Sequence, residues 1–545
     1  MRSLFLRGWH PFFWVGLIAF FLYLKAVTFK LVFFDDSVII LDNYWFLIKP
    51  GSIFKCFTEG VFFVKDDIYY RPLLMLSFIL DAQIGGRSPA VYHLTNILIH
   101  SCCSILVCVL LLKLSYGRLK AFLLSLLFAV HPVLSQAVAW IPGRNDSLLA
   151  LFIIPSLIFL MDFQKAGRMR DLFAHILFLT LALFTKETAV VLIPAGILYC
   201  WIAADHRPLK RLWLMIPIWL FPVCLYLLMK SLSGIPGFTG SLSELKDSFA
   251  VFLPSMAMYL GKLIFPVNLS GTPTVSSSTL FYGYAALALA AAALLLTPRE
   301  RLKYSFFGIV WFFIFLVPTF LFTIDVSLEH RLYVPMIGFL IIAAEVDWRR
   351  FCPDKRLVTA ASVLVIILFG ALAFAHSDIF ISRLIFWESA VRSSGNSWFA
   401  HTFLGRQYMD YGKNELAERH LNKAIELGPN HPQPRIFYGV LLLNRGDINA
   451  AERELLAADK LKTEYASTYF NFGVLCGIKG KYEKAIWFWE RSIEFDRDFI
   501  SGYSALASYY QMMGNIKKRD YYAGIIKERF GFSVNYSTES FSAKG

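Results

Sequence analysis

The sequence predicts an all-α membrane protein in which a polytopic helical domain is followed by an α-solenoid. The first observation is composition: 57% of the 545 residues are hydrophobic and 17% are charged, with a mean hydropathy of +0.55. A soluble domain is closer to about 45–50% apolar and about 25% charged. The second observation is a sequence repeat with a period of 34 residues that begins near Trp398. The apolar excess and the repeat therefore occupy different parts of the chain.

The membrane part contains about eleven apolar runs, most of them near the length of roughly 20 residues that crosses a bilayer. The first run follows the basic segment Met1–Arg7 and has no small-residue cleavage site after it. We therefore expect a retained first span with its N-terminus in the cytoplasm. The predicted spans are Trp9–Phe34, Val91–Leu112, Ala121–Ile141, Leu148–Phe163, Leu172–Thr185, Thr188–Ala204, Leu212–Met229, Leu280–Thr297, Tyr304–Thr323, Leu332–Val346 and Leu357–His376.

The charge of the connectors predicts the orientation of these spans. Basic clusters fall in short connectors, and all of them lie on the cytoplasmic side if Phe249–Pro266 does not cross the membrane. Because that segment contains Pro254 and Lys262, we interpret it as an interfacial or re-entrant helix on the outer face. The connectors also explain the net charge of +14, so no nucleic-acid partner is expected. The membrane domain is then 1–378, with a first outer loop at 35–90 that carries the acidic pair and an outer loop with the interfacial helix at 231–278.

Small residues recur in phase in the C-terminal part, for example Gly405, Gly439 and Gly473. Small residues at such positions let two helices pack closely, which is typical of the tetratricopeptide (TPR) repeat. Such arrays usually bind peptides or proteins in a concave groove; packing without a ligand is the alternative. The predicted repeats are Trp398–His431, Pro432–Tyr465, Ala466–Phe499 and a weaker Ile500–Ser533. We predict a linker at 379–397, the TPR array at 398–533 and a disordered tail at 534–545.

Two adjacent carboxylates, Asp35 and Asp36, follow the first apolar run. Charge repulsion and desolvation raise the pKa of such a pair, which suits a general base that takes a proton from a hydroxyl. The alternatives are a divalent-cation site and two solvated loop acids. A second pair, Asp66 and Asp67, is interpreted as a solvated face.

Other unusual polar residues gather on the predicted outer face. His93, Asn96 and His100 are spaced by three and four residues, so they share one helix face. Packing roles are the alternative, and Arg144–Asp146 and Lys186–Glu187 are alternatively structural ion pairs. No metal site is predicted, and the eight cysteines suggest neither a zinc site nor a disulfide framework. The candidates beyond the acidic pair are Tyr70, Arg71, His93, Asn96, His100, His131, Arg144, Asp146, Lys186, Glu187, Glu329, Arg331 and Tyr333.

These motifs, in this order and with a C-terminal TPR array, resemble the TMTC-type proteins. The stretches are the acidic pair, YYRPL, YHLTNILIH, FAVHPVLSQAVAWIPGRND, LFTKETA and EHRLYVP. TMTC-type proteins are O-mannosyltransferases related to the PMT protein mannosyltransferases of the GT-C superfamily. The resemblance covers nearly the whole chain, and the PMT branch typically has Asp-Glu where this chain has Asp35-Asp36.

The resemblance implies an inverting transfer of a hexose such as mannose from polyprenyl phosphate to a Ser or Thr hydroxyl on the extracytoplasmic side. It assigns the catalytic carboxylate to Asp35, with Asp36 at the neighbouring acidic position. Positive charge must stabilise the departing phosphate, and the candidate cations are Arg71, Arg144, Lys186 and Arg331, with His93 as a hydrogen-bond donor. Asp146 and Glu187 are expected in the same donor-binding set.

The short array favours a bacterial member in the plasma membrane with its TPR domain in the periplasm; an endoplasmic-reticulum protein with a luminal array is the alternative. No cofactor is expected to be required, with a divalent cation as the alternative. The expected partners are the bilayer, the polyprenyl-phosphate sugar and an acceptor protein in the TPR groove. Competing functions are transfer to a glycolipid or polysaccharide, a transporter or flippase of an anionic lipid-linked substrate, and a membrane-anchored scaffold.

Overall fold

The computed structural model describes residues 5–32, 34–62, 68–203, 210–236, 242–274, 279–320, 328–350, 352–461, 466–497 and 499–530. Within these ranges every regular element is a helix, which confirms the predicted all-α class. The chain divides into two compact units. Unit 1 comprises Met1–Leu41, Pro50–Val61 and Ile68–Phe386, and unit 2 comprises Asp42–Lys49, Phe62–Asp67 and Trp387–Gly545.

Helices of ten or more residues are numbered here in chain order. Those of unit 1 are α1 (His10–Tyr23), α2 (Pro72–Gly85), α3 (Pro89–Lys113), α4 (Arg118–Val130), α5 (Arg144–Ala166), α6 (Met169–Thr185), α7 (Leu192–Ala203), α8 (Lys210–Leu232), α9 (Leu242–Ile264), α10 (Phe281–Leu296), α11 (Leu302–Phe320), α12 (Pro335–Glu345) and α13 (Lys355–His376). Helix α14 (Arg383–Ser393) lies within the segment predicted as a linker and includes the boundary between the units.

Several of these helices can cross a membrane, so the chain is a multi-pass membrane protein. Within the described residues, six helical segments are long and apolar enough, or seven if a bent pair forms one span. Five further apolar helices are shorter, and Phe252–Ile264 in the segment predicted as interfacial or re-entrant is one of them. The count of eleven spans stays a prediction.

The structure differs from two sequence expectations in unit 1. The segment 35–90 is not a plain loop, because α2 forms within it and buries Leu74 and Phe78. At 14 residues α2 is too short to be recognised as a span. The predicted span Ala121–Ile141 contains a break: α4 ends at Val130, and the next helical segment, Pro132–Ala139, is bent by 48° relative to it. Pro132 causes this break, since a proline disfavours helical backbone at the residue before it.

Helices α11 and α12 approach each other closely at two glycines. A Cβ atom on Gly338 would lie 2.4 Å from the carbonyl oxygen of Gly308, so no larger residue fits there without a shift of the backbone. The indole Nε1 of Trp311 also donates to the carbonyl of Val334 at 2.9 Å. These contacts hold the start of α12 and hence the turn Glu329–Leu332 that precedes it.

Unit 2 contains four helix pairs whose positions match the four predicted TPR repeats. A Cβ atom on Gly405 would lie 2.7 Å from Leu421 Cγ, which shows the close packing that the repeat pattern predicts. The pairs are α15 (Trp398–Asp410) with α16 (Asn414–Leu427), α17 (Pro432–Arg445) with α18 (Ile448–Asp459), α19 (Ala466–Ile478) with α20 (Tyr482–Phe495), and α21 (Ile500–Met512) with α22 (Ile516–Ile525). The segment Asp42–Lys49 belongs to unit 2, where Trp45 packs against Phe530. The predicted tail 534–545 and the pair Asp66-Asp67 lie outside the described residues.

Candidate active site

The acidic pair lies in a loop whose shape is held by Asp36. Its Oδ2 accepts a hydrogen bond from the backbone N–H of Val32 at 2.7 Å, and its Oδ1 accepts one from that of Phe34 at 2.8 Å. Asp36 is only 1% exposed. Because both oxygens already bind backbone donors, Asp36 positions the loop that carries Asp35.

Asp35 is only partly buried, and its carboxylate accepts no hydrogen bond from any residue that the structure describes. Burial raises the pKa of Asp35 to about 7; the charge of Asp36 acts in the same direction, whereas Arg71 and Arg331 oppose it. Burial likewise raises the pKa of Asp36 to about 6, although backbone N–H bonds lower it. A carboxylate that titrates near neutral pH and has no bound donor is suited to accept a proton.

Arg71 is held in place by a carboxylate from another element. It immediately precedes α2, and its guanidinium makes a bidentate pair with Glu187, with distances of 2.9 Å from Nε to Oε2 and 2.5 Å from NH2 to Oε1. The Tyr69 ring lies 4.4 Å from the guanidinium carbon. Two of its donor nitrogens are thus engaged, and Glu187 neutralises most of the positive charge that Arg71 offers to a phosphate.

Lys186 is paired with Asp146, not with Glu187. Its Nζ lies 2.8 and 2.9 Å from the two carboxylate oxygens of Asp146, and both side chains are buried. The Nε2 atom of His330 lies 3.5 Å from the same carboxylate. The suggested pairs Lys186–Glu187 and Arg144–Asp146 are therefore both wrong, because each residue has a different partner.

Arg144 is part of a separate buried network. It is 0% exposed and forms an ion pair with Asp81 at 2.5 Å. Its Nε donates to Asn96 Oδ1 at 2.6 Å, and its remaining nitrogens donate to Tyr92 O and Ser77 Oγ. Each guanidinium nitrogen is therefore used inside the protein, which argues against the predicted role of Arg144 in binding a phosphate. Asn96 has a structural role in the same network.

Arg331 differs from these cations because it has no hydrogen-bond or ion-pair partner among the described residues. Its neighbour Glu329 is 0% exposed and accepts from Lys262 Nζ at 2.6 Å and from the backbone N–H of Ser270 at 2.9 Å. The backbone N–H of His330 donates to Gln136 Oε1 at 2.9 Å. The turn is thus firmly held, while the guanidinium of Arg331 is only partly buried and has no partner in the described part of the chain.

Three other candidates belong to the packed interior. His100 Nδ1 lies 2.7 Å from Tyr333 Oη, and its Nε2 lies 3.0 Å from Ala129 O. His131 Nε2 lies 2.9 Å from the carbonyl of Leu263. These side chains are satisfied by the protein itself, so the structure favours the packing alternative for His100, His131 and Tyr333.

Tyr70 also has a packing role, because it is buried and its hydroxyl donates to Phe57 O at 3.0 Å. His93 is different: it is 1% exposed, and neither ring nitrogen has a hydrogen-bond partner in the described part of the chain. The ring of His93 lies edge-on to Phe29, just before the loop that Asp36 holds. His93 therefore stays a candidate donor to a substrate.

The sequence reading missed His330, Gln136 and Trp140. The Trp140 ring stacks on Phe34, next to Asp35, with ring centroids 5.6 Å apart, and it also contacts His330 at 5.5 Å. The sequence signal for His330 is its position between two candidate site residues, Glu329 and Arg331. Gln136 and Trp140 follow the break at Pro132, which a hydropathy pattern does not detect.

In the described part of the chain, no group of three or more His, Cys, Asp or Glu residues is arranged to hold a metal ion. At the acidic pair, the backbone donors to Asp36 compete with any cation for the same oxygens. The expectation that no cofactor is required stays a prediction.

Comparison with known proteins agrees with the resemblance that the sequence motifs indicate. A family described as dolichyl-phosphate-mannose-protein mannosyltransferase matches residues 72–232, which include Asp146, Lys186 and Glu187 but not Asp35. A protein O-mannosyl-transferase of Caenorhabditis elegans is 24% identical over 67% of this chain and 54% of its own length. Human protein O-mannosyl-transferase TMTC1 is 23% identical over 66% of this chain and 48% of its own length.

The chain is thus similar, over part of its length, to protein O-mannosyltransferases of the PMT and TMTC types. It spans about half the length of the curated relatives it matches. The crystal structure of MamA matches 28% of this chain and 90% of its own, with 22% identity and a TM-score of 0.24.

Proposed function

We propose that this chain is a GT-C glycosyltransferase that moves a hexose such as mannose from polyprenyl phosphate to a Ser or Thr hydroxyl of an extracytoplasmic protein. The observation that carries the proposal is the carboxylate of Asp35, which has no hydrogen-bond partner among the described residues and lies within electrostatic reach of Arg71 and Arg331. The similarity to a mannosyltransferase family and to O-mannosyl-transferases supplies the reaction class.

The reaction is a single displacement with inversion at the anomeric carbon. The acceptor hydroxyl oxygen bonds to the anomeric carbon while Asp35 accepts the hydroxyl proton. The bond from the anomeric carbon to the phosphate oxygen breaks, and the polyprenyl phosphate leaves with the electron pair. Because a phosphate leaves as an anion, no second carboxylic acid is needed to protonate it, unlike in glycoside hydrolysis.

Stabilisation of the departing phosphate is assigned chiefly to Arg331. A preorganised cation stabilises charge that develops in the transition state, provided that an internal carboxylate does not already neutralise it. Arg71 and Lys186 are paired with Glu187 and Asp146, so their main role is to shape the site. His93, with both ring nitrogens unpaired among the described residues, is the additional donor that we assign to the substrate.

The apolar helices of unit 1 are suited to hold the prenyl tail, and the helix pairs of unit 2 are suited to present an acceptor protein. We infer that the acidic loop and the array lie on the extracytoplasmic side, in a bacterial plasma membrane with the array in the periplasm. The basic connectors favour this orientation, because Lys and Arg are enriched in short cytoplasmic loops.

The test uses membranes that contain the full chain and a polyprenyl-phosphate mannose labelled in the sugar. We expect label to move into the protein fraction with the native chain and to be lost with Asp35→Asn, which keeps the size of the side chain and removes its basicity. Asp162→Asn is the matched control, because Asp162 pairs with Lys113 and not with any residue of the site. Native transfer by Asp35→Asn would contradict the proposal. Label in a lipid product distinct from the donor would indicate a glycolipid acceptor, and label carried across sealed vesicles without transfer would indicate a transporter.

A further inference from the structure

The turn that carries Arg331 is held from both sides by side chains of distant helices. On one side, Tyr259 of α9 donates its hydroxyl to the carbonyl of Leu328 at 3.1 Å, and Lys262 of the same helix pairs with Glu329 at 2.6 Å. On the other side, His330 is bound to Gln136 through its backbone N–H. The three residues before Arg331 are therefore held in place by side chains of other helices.

The pair between Lys262 and Glu329 is costly to bury. Lys262 is 5% exposed and Glu329 is 0% exposed, so both charges have lost nearly all of their water. The Nε2 atom of His376 lies 3.4 Å from the second oxygen of Glu329. Replacing a buried ion pair by apolar residues is often neutral or stabilising, so stability is a weak explanation for such a pair. Geometric control of a neighbouring group is a stronger explanation.

We propose that Lys262 is a positioning residue of the transferase site, acting through Glu329 to direct the guanidinium of Arg331 towards Asp35 and the departing phosphate. This inference rests on the proposed function and deepens it. It also assigns a task to α9, the helix that was interpreted from sequence as an interfacial or re-entrant element. Helix α9 holds the turn Glu329–Leu332, which precedes α12, through Tyr259 and Lys262.

The physical basis is preorganisation. A cation stabilises a transition state most when its position is set before the reaction begins, since no reorganisation is then needed. Glu329 is two residues before Arg331, and its carboxylate is fixed by Lys262 and by the backbone of Ser270. If Lys262 is lost, the buried carboxylate loses its counter-charge and the turn is expected to shift. A displacement of about 1 Å at such a group can reduce the rate about 100-fold.

The experiment measures epistasis between Lys262 and Arg331. Initial rates are measured with labelled polyprenyl-phosphate mannose for Lys262→Met, Arg331→Met and the double variant, all as full chains in membranes. We expect Lys262→Met to lower kcat about 10–100-fold with little change in the donor KM. In the Arg331→Met background the same change should cost less than about twofold, because its effect passes through Arg331. Equal losses in both backgrounds would overturn the proposal.

The pH profile provides a second readout. The charges that face Asp35 are those of Asp36, Arg71 and Arg331, and Arg331 lowers the pKa of Asp35. A misplaced Arg331 should therefore shift the acidic limb of the rate profile to higher pH in Lys262→Met. The control is Lys113→Met, which removes a cation from an ion pair at the far end of α3 and should leave both rate and profile unchanged. An unshifted limb in Lys262→Met would contradict the positioning role.

Tyr259→Phe keeps the proposal falsifiable if Lys262→Met does not fold. This variant removes one hydrogen bond to Leu328 and should lower kcat about two- to fivefold in the native background and not in Arg331→Met. The outcomes also separate this inference from the proposed function. If Asp35→Asn abolishes transfer and Arg331→Met lowers it while Lys262→Met and Tyr259→Phe are fully active, the function stands and the positioning role fails. If Asp35→Asn is fully active, the proposed function itself fails.

Discussion

Transfer by this chain should fall at acidic pH because Asp35 must be ionised to accept the hydroxyl proton. The pKa of Asp35 is raised from 3.8 to about 7, with burial as the largest cause. One pKa unit corresponds to about 1.4 kcal/mol, so the ionised form is disfavoured by about 4 kcal/mol before solvent screening of this partly exposed group is considered. With screening, we expect an acidic limb at about pH 6–7, below which the rate falls about tenfold per pH unit.

The assay is the initial rate of transfer from labelled polyprenyl-phosphate mannose in membranes, measured across the pH range around neutrality. Arg331→Met removes a cation that lowers the pKa of Asp35, so its residual activity should show an acidic limb at higher pH than the native chain. Lys113→Met, at the other end of α3, should reproduce the native profile. A limb at about pH 4, where an unperturbed aspartate titrates, would refute the reasoning.

Two further predictions concern stability and are measured by thermal unfolding of the purified chain in detergent. Arg144→Met should destabilise unit 1 by about 3–5 kcal/mol because it leaves the buried Asp81 carboxylate without its counter-charge, whereas Arg331→Met should change the midpoint little; equal midpoints for the two variants would contradict the assignment of Arg144 to the interior. Asp35→Asn should stabilise the fold by about 2 kcal/mol above pH 7 and hardly at all at about pH 4, with the gain growing between the unfolded pKa of 3.8 and the folded pKa of about 7. The sign follows because a carboxylate with a raised folded pKa contributes stability that is lost as pH rises through that pKa; a gain that is larger at pH 4 than at pH 8 would contradict it.

The fold was predictable from patterns that local chemistry enforces. An apolar run such as that of α3 must become a helix in a bilayer, because its backbone groups have no other hydrogen-bond partners there. The recurring small residues at Gly405, Gly439 and Gly473 predict close helix pairs because small residues let two helices approach closely. Helix α2 and the bend after Val130 were missed because a hydropathy pattern detects neither a short helix nor a broken one.

The sequence indicated candidate polar residues but not how their side chains pair. Sequence order placed Arg144 two residues before Asp146 and Lys186 beside Glu187, and both suggested pairs were wrong. Adjacent residues on a helix or turn point in different directions, so their partners come from other elements, as Asp81 does for Arg144. These partners depend on how helices pack, and this packing is not encoded in local spacing.

The ion pairs of Arg71, Arg144 and Lys186 affect the chemistry at Asp35, and four unpaired cations near Asp35 would have a different effect. Four unpaired cations around Asp35 would stabilise its carboxylate and hold its pKa low, which would weaken it as a base. In the structure, carboxylates pair with Arg71, Arg144 and Lys186. Burial raises the pKa of Asp35, and the opposing effect of Arg71 and Arg331 does not cancel this rise. Arg331 remains as the cation without a partner in the described part of the chain. The same arrangement thus permits a base that titrates near neutral pH and a cation available to an anionic leaving group. A base with a raised pKa and a cation available to the leaving group would conflict if all the charges were unpaired. Internal ion pairs remove this conflict.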